Sequence, residues 1–592
     1  FGSCIGCRNR PRGARFRRIQ RQEYSVRRPA THRRQIRARF VAGIAPLPRL
    51  GAEGKILSPP SCALYRPTRA VDPKSPLPSR DNPTRSLESS RADLGAGPAK
   101  NLARICRRWV AGRLTLYLML YLGTVLFIHW LIVLVLWVRV MVRRPPVGVA
   151  VAWLAVISTA PFLGAVIYLL FGERRLGRKR TARIASYWPT LQRWQASLRP
   201  PAAENVPEVP IQRQAEQVLG FPAQGGNRLE LFSDFQSVFD QLVADIDSAT
   251  RSCHLCFYIW HEGGRTEDVV EALIRAARRG VDCQVLADAI GSRAFLHSDS
   301  AGRMRAAGVV VAAALPTGGL RTFLVRRDLR NHRKIVVIDQ TIAYSGSQNL
   351  VDPRFFKQDA GVGEWVDAMA RITGPTAGVL DGVFALDWSV EANARLELPA
   401  PVAPAYPTDR PASIQVVPSG PDLRPEAIHQ LLLTAIYSAK QEIVMTTPYF
   451  VPDEAIITAL LSAALRGVIV TLIVPSRNDS IMVRFASEAN FEGLLAAGAR
   501  IALFDGGLLH TKSLTVDHSL CIFGSVNLDM RSLWLNFEIS LFVYDPEFTQ
   551  SIRELQASYL AASHRLDGEV WSQRSNLQKA AEYAFRLLGP LL

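Results

Sequence analysis

Two long apolar runs occupy residues 114–142 and 147–171, and only Arg143-Arg144-Pro145-Pro146 separates them. A helix needs about 20 apolar residues to cross the hydrocarbon core of a bilayer, and each run is longer than that. Both runs are apolar all round, whereas a surface helix of a water-soluble protein is apolar on one face. The pattern therefore predicts a two-helix transmembrane hairpin over residues 107–172.

Basic residues flank the two outer ends of this hairpin more heavily than its turn. Cytoplasmic flanks of membrane helices carry an excess of Lys and Arg, so we expect both ends of the hairpin, and the chain that follows it, on the cytoplasmic side. The outer flanks hold Arg104, Arg107, Arg108 and Arg113 before the hairpin, and Arg174, Arg175, Arg178, Lys179, Arg180 and Arg183 after it. The turn holds Arg139, Arg143 and Arg144.

Beyond a basic juxtamembrane connector (residues 173–227), strand-like and helical patterns alternate, and this alternation occurs twice. The strands are 253–260, 281–288, 442–450 and 468–475, with helices 267–280 and 454–467 between them. Such alternation is typical of α/β sheets, and an internal repeat indicates two like domains. We therefore predict the α/β class, with two pseudo-twofold-related domains (228–400 and 411–592), each a mixed sheet flanked by helices.

The net charge of +20 at first suggests a nucleic-acid partner. Residues 1–100, however, carry 22 Lys and Arg against 6 Asp and Glu, which leaves about +4 on the other 492 residues. The repeated region is therefore nearly balanced, and we expect no nucleic acid as partner. Residues 1–100 show no apolar periodicity and are expected to be a disordered basic tail. They are either a natural tail or an extension from a start site assigned too early.

The eight cysteines do not form a recognisable metal site. Cys4 and Cys7 form one C-x-x-C pair and Cys253 and Cys256 another, but no second pair stands at the spacing of zinc ligands. We therefore expect neither a metal nor a cofactor.

A duplicated motif is the strongest chemical signal. His332-x-Lys334-x4-Asp339 is followed by Gly346-Ser347-x-Asn349, and His510-x-Lys512-x4-Asp517 by Gly524-Ser525-x-Asn527, 178 residues later. Each His begins a strand-like stretch, where side chains two residues apart share a face. His and Lys of each copy should therefore project together. Asp339 and Asp517 then point the other way, as anchors of the strand end.

The paired motifs resemble those of the phospholipase D superfamily. This resemblance implies a phosphodiester substrate, with His332 as nucleophile, His510 as general acid and base, and Lys334 and Lys512 as catalytic cations; Asp339 and Asp517 complete the catalytic motifs. Ser347, Asn349, Ser525 and Asn527 are expected to bind phosphate. In the superfamily an acid downstream of each motif orients its histidine. Asp367 and Glu538 follow His332 and His510 by 35 and 28 residues, so they take that role here.

Residues 107–592 are similar to bacterial cardiolipin synthases nearly end to end. The stretches that carry the similarity include YLLFGERRLGRKR, DLRNHRKIVVID, VDPRFFKQDAGVGEWVDAM, TTPYFVPDE and NLDMRSLWLNFE. The resemblance implies phosphatidyl transfer between two phosphatidylglycerols through a phosphohistidine, giving cardiolipin and glycerol. It also implies a multi-pass protein of the bacterial inner membrane, with phosphatidylglycerol and membrane lipids as its partners.

Several alternatives remain open at the level of sequence. A membrane-anchored phospholipase D would use water, or another glycerophospholipid, in the same chemistry, and phosphatidylethanolamine could serve as one donor. A nuclease would need a basic groove, and a scaffold would have no reason to keep both motifs. An arginine-rich insertion over residues 315–331 is either a solvated loop or a cationic lip for anionic headgroups. The oligomeric state stays undetermined.

Overall fold

A computed structural model describes residues 97–589 except 146, 161, 174–175, 200–208, 317–325, 327, 403–411, 423 and 588. The chain divides into the units Phe1–Leu102 and Ala103–Leu592. The described part of the first unit is the beginning of a helix. The tail predicted over residues 1–100 therefore lies almost wholly outside the described residues, as does most of the arginine-rich insertion.

The first apolar run lies within one long helix, but the second does not. Helix α1 (Gly97–Arg143) holds a stretch, Lys100–Arg143, that is long and apolar enough to cross a membrane. The second run divides into α2 (Val147–Thr159) and α3 (Leu163–Phe171). Pro161 stands between them in the sequence, and proline cannot donate the backbone hydrogen bond that would continue a helix. The prediction of a second continuous spanning helix is therefore wrong.

Helices α2 and α3 pack against the C-terminal half of α1. Val133, Leu136 and Val140 of α1 form a buried cluster with Ile157, Ala165 and Tyr168. At the end of the pair, the Arg139 guanidinium donates to both carboxylate oxygens of Glu173, at 2.5 and 2.8 Å. The apolar segments thus form one packed helical unit, and the ion pair between Arg139 and Glu173 joins α1 to the residues that follow α3.

The segment predicted as a connector contains two helices that belong to the catalytic region. Helices α4 (Arg178–Ser197) and α5 (Pro210–Leu219) both bury apolar side chains. Trp194 is 7% exposed, and its indole N–H donates to the carbonyl of Pro399 at 2.7 Å. The ring lies so close to Gly382 that a Cβ there would meet it at 2.0 Å. Residues 178–198 are therefore part of the folded core, not a linker.

The first repeat supplies half of the central sheet. Its elements are β1 (Gln224–Phe232), α6 (Phe235–Ser248), β2 (Ser252–Phe257), α7 (Thr266–Arg278), β3 (Asp282–Asp288), α8 (Arg293–Leu296), α9 (Asp299–Ala306), β4 (Val310–Ala314), β5 (Ile335–Ile338), β6 (Ile342–Gly346), a 3-10 helix (Gln358–Ala360), β7 (Trp365–Val366), β8 (Met369–Thr373) and α10 (Pro375–Glu391).

The second repeat supplies the other half. Its elements are β9 (Ala412–Ser419), α11 (Ala427–Ser438), β10 (Glu442–Thr446), β11 (Phe450–Val451), α12 (Glu454–Leu465), β12 (Ile469–Pro475), α13 (Ile481–Glu488), α14 (Phe491–Ala496), β13 (Arg500–Phe504), β14 (Leu508–Leu509), β15 (Ser513–Val516), β16 (Leu520–Gly524), β17 (Leu528–Asp529), α15 (Met530–Trp534), β18 (Glu538–Val543), α16 (Pro546–Ala561), β19 (Ser563–Arg565), α17 (Gly568–Ser572) and α18 (Asn576–Leu587).

Strands of both repeats join in one mixed 15-stranded sheet, in the order β19-β13-β12-β10-β15-β16-β18-β9-β1-β8-β6-β5-β2-β3-β4. The central pair β9 and β1 is antiparallel. Outward from this pair, the strands of each repeat follow in corresponding order, and β2-β3-β4 and β10-β12-β13 are the parallel parts. One buried cluster holds Trp194, Ile335, Phe523 and Ile539 together. The two repeats therefore share a core and a sheet.

Candidate active site

Both motif histidines border one cavity of about 420 Å³ between the two repeats. His332 lies three residues before β5 and His510 three residues before β15, so the two histidines hold equivalent positions in the two repeats. His332 is 7% and His510 3% exposed. The other lining residues are Tyr258, Ile259, Arg330, Asn349, Lys357, Trp365, Tyr449, Val451, Asp479, Ser480, Val483, Asn527, Asp529, Arg531 and Asn536.

The backbone just before each histidine pairs with the opposite repeat. His332 N–H donates to the carbonyl of Phe537 at 2.8 Å, and the N–H of Phe537 donates to the carbonyl of Arg330. In the other copy β14 pairs in parallel with β7, and the N–H of His510 donates to the carbonyl of Val366 at 2.8 Å. These two short backbone pairings between the repeats, called crossings below, place the histidine that begins each motif beside the acid of the other repeat.

Each acid consequently holds the histidine of the other repeat. His332 Nδ1 lies 2.7 Å from Glu538 Oε2, and His510 Nδ1 lies 2.7 Å from Asp367 Oδ1. The sequence assigned Asp367 to His332 and Glu538 to His510, and that pairing is wrong. Both carboxyl groups contact a motif histidine as expected, but the partners are exchanged. Asn536 adds a further bond, from its Nδ2 to Glu538 Oε1 at 3.2 Å.

Ser347 and Ser525 contact these acids and do not line the cavity. The Ser347 hydroxyl donates to Asp367 Oδ1 and the Ser525 hydroxyl to Glu538 Oε2, each at 2.5 Å. Both serines are fully buried. The expectation that they bind phosphate is therefore corrected. They fix the carboxylates that hold the histidines.

The histidines are neutral at pH 7 in the free protein. Burial and the nearby lysine charges together lower the pKa of His332 to about 4 and that of His510 to about 3, although the carboxylates of Glu538 and Asp367 act in the opposite direction. Burial alone would raise the pKa of Asp367, but His510 and Lys512 hold it at about 2. An ionised carboxylate only accepts hydrogen bonds. The ring proton therefore sits on Nδ1, and the Nε2 lone pair is free for chemistry.

Lys334 and Lys512 are buried beside the histidines and are not among the residues that line the cavity. The Lys334 ammonium donates to the carbonyl of His332 at 2.8 Å, and Lys512 donates to that of His510. Burial lowers the pKa of Lys334 to about 8 and lowers that of Lys512 well below its usual value. Two lysines in one buried site favour an anion, because a bound negative charge offsets the cost of burying theirs.

The two asparagines line the cavity but differ in their contacts. Asn349 Oδ1 accepts from the N–H of Ile259 at 3.2 Å, and its Nδ2 has no partner among the described residues. Asn527 hydrogen-bonds the side chain of Asp529. A buried N–H donor without a partner is costly, so Asn349 is the better placed of the two to donate to a bound oxygen.

Asp339 and Asp517 are strand anchors rather than members of the site. Asp339 accepts from the N–H groups of Thr250, Arg251 and Ser252 at 2.7–2.9 Å. Asp517 accepts from those of Lys440, Gln441 and Glu442 at 2.7–3.0 Å. Each aspartate directly follows its strand, so its role as an anchor of the strand end is confirmed, and these contacts remove both residues from the catalytic group.

Several cavity residues were missed in the sequence. Tyr258 and Tyr449 follow the ends of β2 and β10, and ligand sites commonly form at the carboxyl ends of parallel strands, so that position was an available signal. The Tyr258 ring contacts the His332 ring edge-on, with centroids 4.9 Å apart. The Trp365 ring lies 4.3 Å from that of His510. No local pattern indicated Lys357 or Asp479, which meet only in the folded protein.

Comparisons with known proteins identify the family. The family model described as cardiolipin synthase, PLD-like domain matches residues 242–362 and 432–558, and a phospholipase D-nuclease N-terminal model matches residues 128–173. Cardiolipin synthase A of Yersinia pseudotuberculosis serotype O:3 (strain YPIII) is 46% identical over 473 residues, which cover 79% of this chain and 97% of that protein. Cardiolipin synthase A of Edwardsiella ictaluri (strain 93-146) is 46% identical over 474 residues, covering 79% and 98%.

A crystal structure of phosphatidylserine synthase from Haemophilus influenzae Rd KW20 is also similar, with a TM-score of 0.48 and 15% identity over 64% of this chain and 100% of that one. The two cardiolipin synthases decide the family assignment, because their similarity to this chain extends over nearly their whole length. This chain belongs to the bacterial cardiolipin synthases of the phospholipase D superfamily.

Proposed function

We propose that this protein transfers the phosphatidyl group of one phosphatidylglycerol to the free hydroxyl of another, and so forms cardiolipin and glycerol. One observation carries the proposal. Two neutral histidines, each held at Nδ1 by a carboxylate of the other repeat, border the same cavity, and a buried lysine bonds the backbone carbonyl of each. This arrangement offers a nucleophile, a proton carrier and fixed positive charge for a phosphodiester.

In the first step, His332 Nε2 attacks phosphorus and the bond to the departing glycerol breaks. Glu538 stabilises the positive charge that develops on the ring. Lys334, Lys512 and the Asn349 amide stabilise the charge on the non-bridging oxygens of the five-coordinate transition state. The assignment of His332 rather than His510 as nucleophile follows the family resemblance.

His510 then acts as the proton carrier. Burial and the lysine charges depress its pKa in the free protein, and the negative phosphodiester offsets those charges when it binds. The bound complex therefore favours a protonated His510, which gives its proton to the departing glycerol oxygen. In the second step His510 takes the proton of the second phosphatidylglycerol's hydroxyl, which attacks the phosphohistidine and regenerates His332.

We also propose that the two repeats are related by a pseudo-twofold axis through this cavity, and that the apolar N-terminal helices anchor it at the cytoplasmic face of the bacterial inner membrane. Corresponding strand orders and the paired backbone crossings support the first point. The long apolar helix α1 and the basic flanks of the helical segment support the second.

The test is turnover of the purified full-length protein, reconstituted with phosphatidylglycerol as the sole phospholipid. Cardiolipin and free glycerol in equal amounts are expected, before and after treatment with a strong chelator. Phosphatidic acid with glycerol would mean hydrolysis, the phospholipase D alternative. Cardiolipin that forms only when phosphatidylethanolamine is added, with release of ethanolamine, would mean a different donor. The His332→Ala variant in the same lipid serves as the control.

A further inference from the structure

Two segments from opposite repeats meet at the mouth of the cavity. Lys357 Nζ lies 3.3 Å from Asp479 Oδ2, and the Tyr449 hydroxyl donates to the other oxygen of Asp479 at 3.0 Å. Lys357 and Asp479 both line the cavity, as do Ser480 and Val483 at the beginning of α13. Residues 353–357 and 479–483 therefore form part of one rim.

This rim exposes large apolar side chains. Phe355 is 60%, Ile481 71% and Met482 46% exposed. The next turn of α13 is well packed: Ala486 is buried, and Phe485 stacks on Phe585 of α18 with ring centroids 5.4 Å apart. A single exposed apolar residue is ordinary, but three on the two segments that border an opening indicate a surface that meets something apolar.

The size of the cavity indicates that the apolar partner of this rim is the bilayer. About 420 Å³ is the volume of a pocket for a small ligand, so the cavity can hold headgroups and phosphate but not the acyl chains of two phospholipids. The acyl chains must stay in the bilayer during the reaction. The phosphodiester can reach His332 and His510 only if the mouth of the cavity touches the headgroup layer.

The charge of the rim is compatible with that contact. Residues 353–357 and 479–483 hold two basic residues and one acidic one (Arg354, Lys357 and Asp479), and Arg477 and Arg484 flank the second segment. Arg354 and Arg484 form ion pairs with Asp352 and Glu488. Apolar side chains among basic ones are typical of protein surfaces that lie in the interface of an anionic bilayer.

We infer that Phe355, Ile481 and Met482 insert into the headgroup region of the bilayer and dock the cavity mouth onto it. This inference rests on the proposed function, because it needs a membrane phospholipid as substrate. It adds a contact separate from the apolar N-terminal helices. Those helices keep the protein at the membrane, and the rim orients the cavity toward the lipid.

Site-specific fluorescence tests the contact directly in the full-length protein. In a background with Cys4, Cys7, Cys62 and Cys106 changed to Ser, the remaining cysteines are buried. Ile481→Cys is labelled with a small environment-sensitive fluorophore and reconstituted into phosphatidylglycerol vesicles with or without brominated acyl chains. The brominated lipid should quench this label.

Leu465→Cys is the matched control. Leu465 is 76% exposed at the end of α12, immediately before β12. It therefore lies at the amino edge of the parallel strands, whereas the cavity follows their carboxyl ends. Its label should not be quenched. An unquenched label at position 481, or equal quenching at both positions, overturns the inference.

Activity provides the second readout. The triple variant Phe355→Ser, Ile481→Ser, Met482→Ser should lose about tenfold in turnover of phosphatidylglycerol in vesicles, which corresponds to about 1.4 kcal/mol of lost interfacial binding. With short-chain phosphatidylglycerol dispersed as monomers it should match the unmodified protein. Equal loss on both substrates would mean a folding defect and would overturn the docking role. If the unmodified protein has no activity on phosphatidylglycerol, the proposed function fails, while the quenching result still decides the rim.

Discussion

At the scale of single residues, the exchange of acids between the histidines determines which step each acid supports. Glu538 holds the proposed nucleophile His332, and Asp367 holds the proposed acid His510. Replacing a carboxylate by an amide removes the group that stabilises the charged ring, and such a change in a catalytic dyad costs about 10²- to 10⁴-fold in rate. The two changes should therefore be separable by their effect on each chemical step.

A phosphatidyl ester of p-nitrophenol separates them, because its leaving group departs without a proton from the protein. With this substrate we expect Asp367→Asn to form the phosphohistidine at nearly the normal rate. Glu538→Gln should form it about 10²- to 10⁴-fold more slowly. Rapid-quench trapping of the phosphoprotein measures both. The reverse result would mean that each acid serves the histidine of its own repeat, or that His510 is the nucleophile.

The pKa values of the site predict the pH profile of kcat/KM. Activity should fall as the pH drops through about 4, because His332 then takes a proton on its attacking nitrogen. Above about 4 it should decline as the pH rises, because the reaction needs a proton on His510, whose pKa in the free protein is about 3. The decline should steepen above about 8, where Lys334 loses its charge. The measurement is kcat/KM in mixed micelles on both sides of these values. Lys334→Arg keeps a charge at high pH, so a steeper decline above about 8 that persists in that variant would rule out Lys334 as its cause.

The buried charge of Lys334 should also lower the free energy of unfolding of the protein. Burial lowers its pKa from 10.5 to about 8, and such a shift corresponds to about 3 kcal/mol. At pH 7 the folded protein still carries the charge, so Lys334→Met should abolish activity and raise the free energy of unfolding by up to about 3 kcal/mol. Between pH 8 and 10.5 the Lys334 side chain is protonated in the unfolded chain but not in the folded protein. The unmodified protein therefore becomes more stable as the pH rises, and the stability advantage of Lys334→Met shrinks. Chemical denaturation at several pH values tests this, and a less stable variant at pH 7 would contradict it.

At the scale of elements, helix α4 marks where the catalytic region begins. Ile184, Leu191 and Trp194 are buried against the core, and Arg180 forms an ion pair with Glu391 of α10. A truncation within the predicted connector, for example at residue 185, would divide this helix. The boundary that the packing supports is Gly177.

Two truncated forms test the boundary. The form that begins at Arg178 should be folded, active in detergent micelles, and strongly impaired on bilayers because the apolar anchor is gone. The form that begins at Leu198 loses a buried tryptophan and its neighbours, which costs about 3–5 kcal/mol. Its thermal unfolding should occur at a clearly lower temperature. Equal unfolding temperatures would show that α4 is only an appended helix.

At the scale of the whole molecule, the shared sheet and crossed acids make a single catalytic unit per chain. Quenched-flow analysis with the p-nitrophenol ester should therefore give a burst of one equivalent of p-nitrophenol per chain, not two. His332→Ala and the double variant His332→Ala, His510→Ala should show equally low activity. Both histidines serve the same reaction, so removing the second one causes no further loss. A burst of two equivalents would mean two independent sites.

The amino-acid sequence by itself determined the chemistry and the class of fold. The repeated spacing of His332 and His510 with their lysines, together with the family resemblance, indicated the site, and the structure brings both histidines to one cavity. The strand-like stretch of each motif placed Asp339 and Asp517 at the strand ends. The alternation of strands and helices gave two α/β repeats. These features depend on neighbours close in the chain, and local periodicity records them.

Only the tertiary structure decided which acid holds which histidine, where the serines bond and which residues form the cavity mouth. His332 and Glu538 are 206 positions apart, and His510 and Asp367 are 143 apart. Their pairing depends on two backbone crossings between repeats, and nothing in the spacing distinguishes exchanged from unexchanged partners. The packing of Trp194 against Gly382 likewise depends on a contact across the fold. Long-range contacts of this kind leave no periodic trace in the chain.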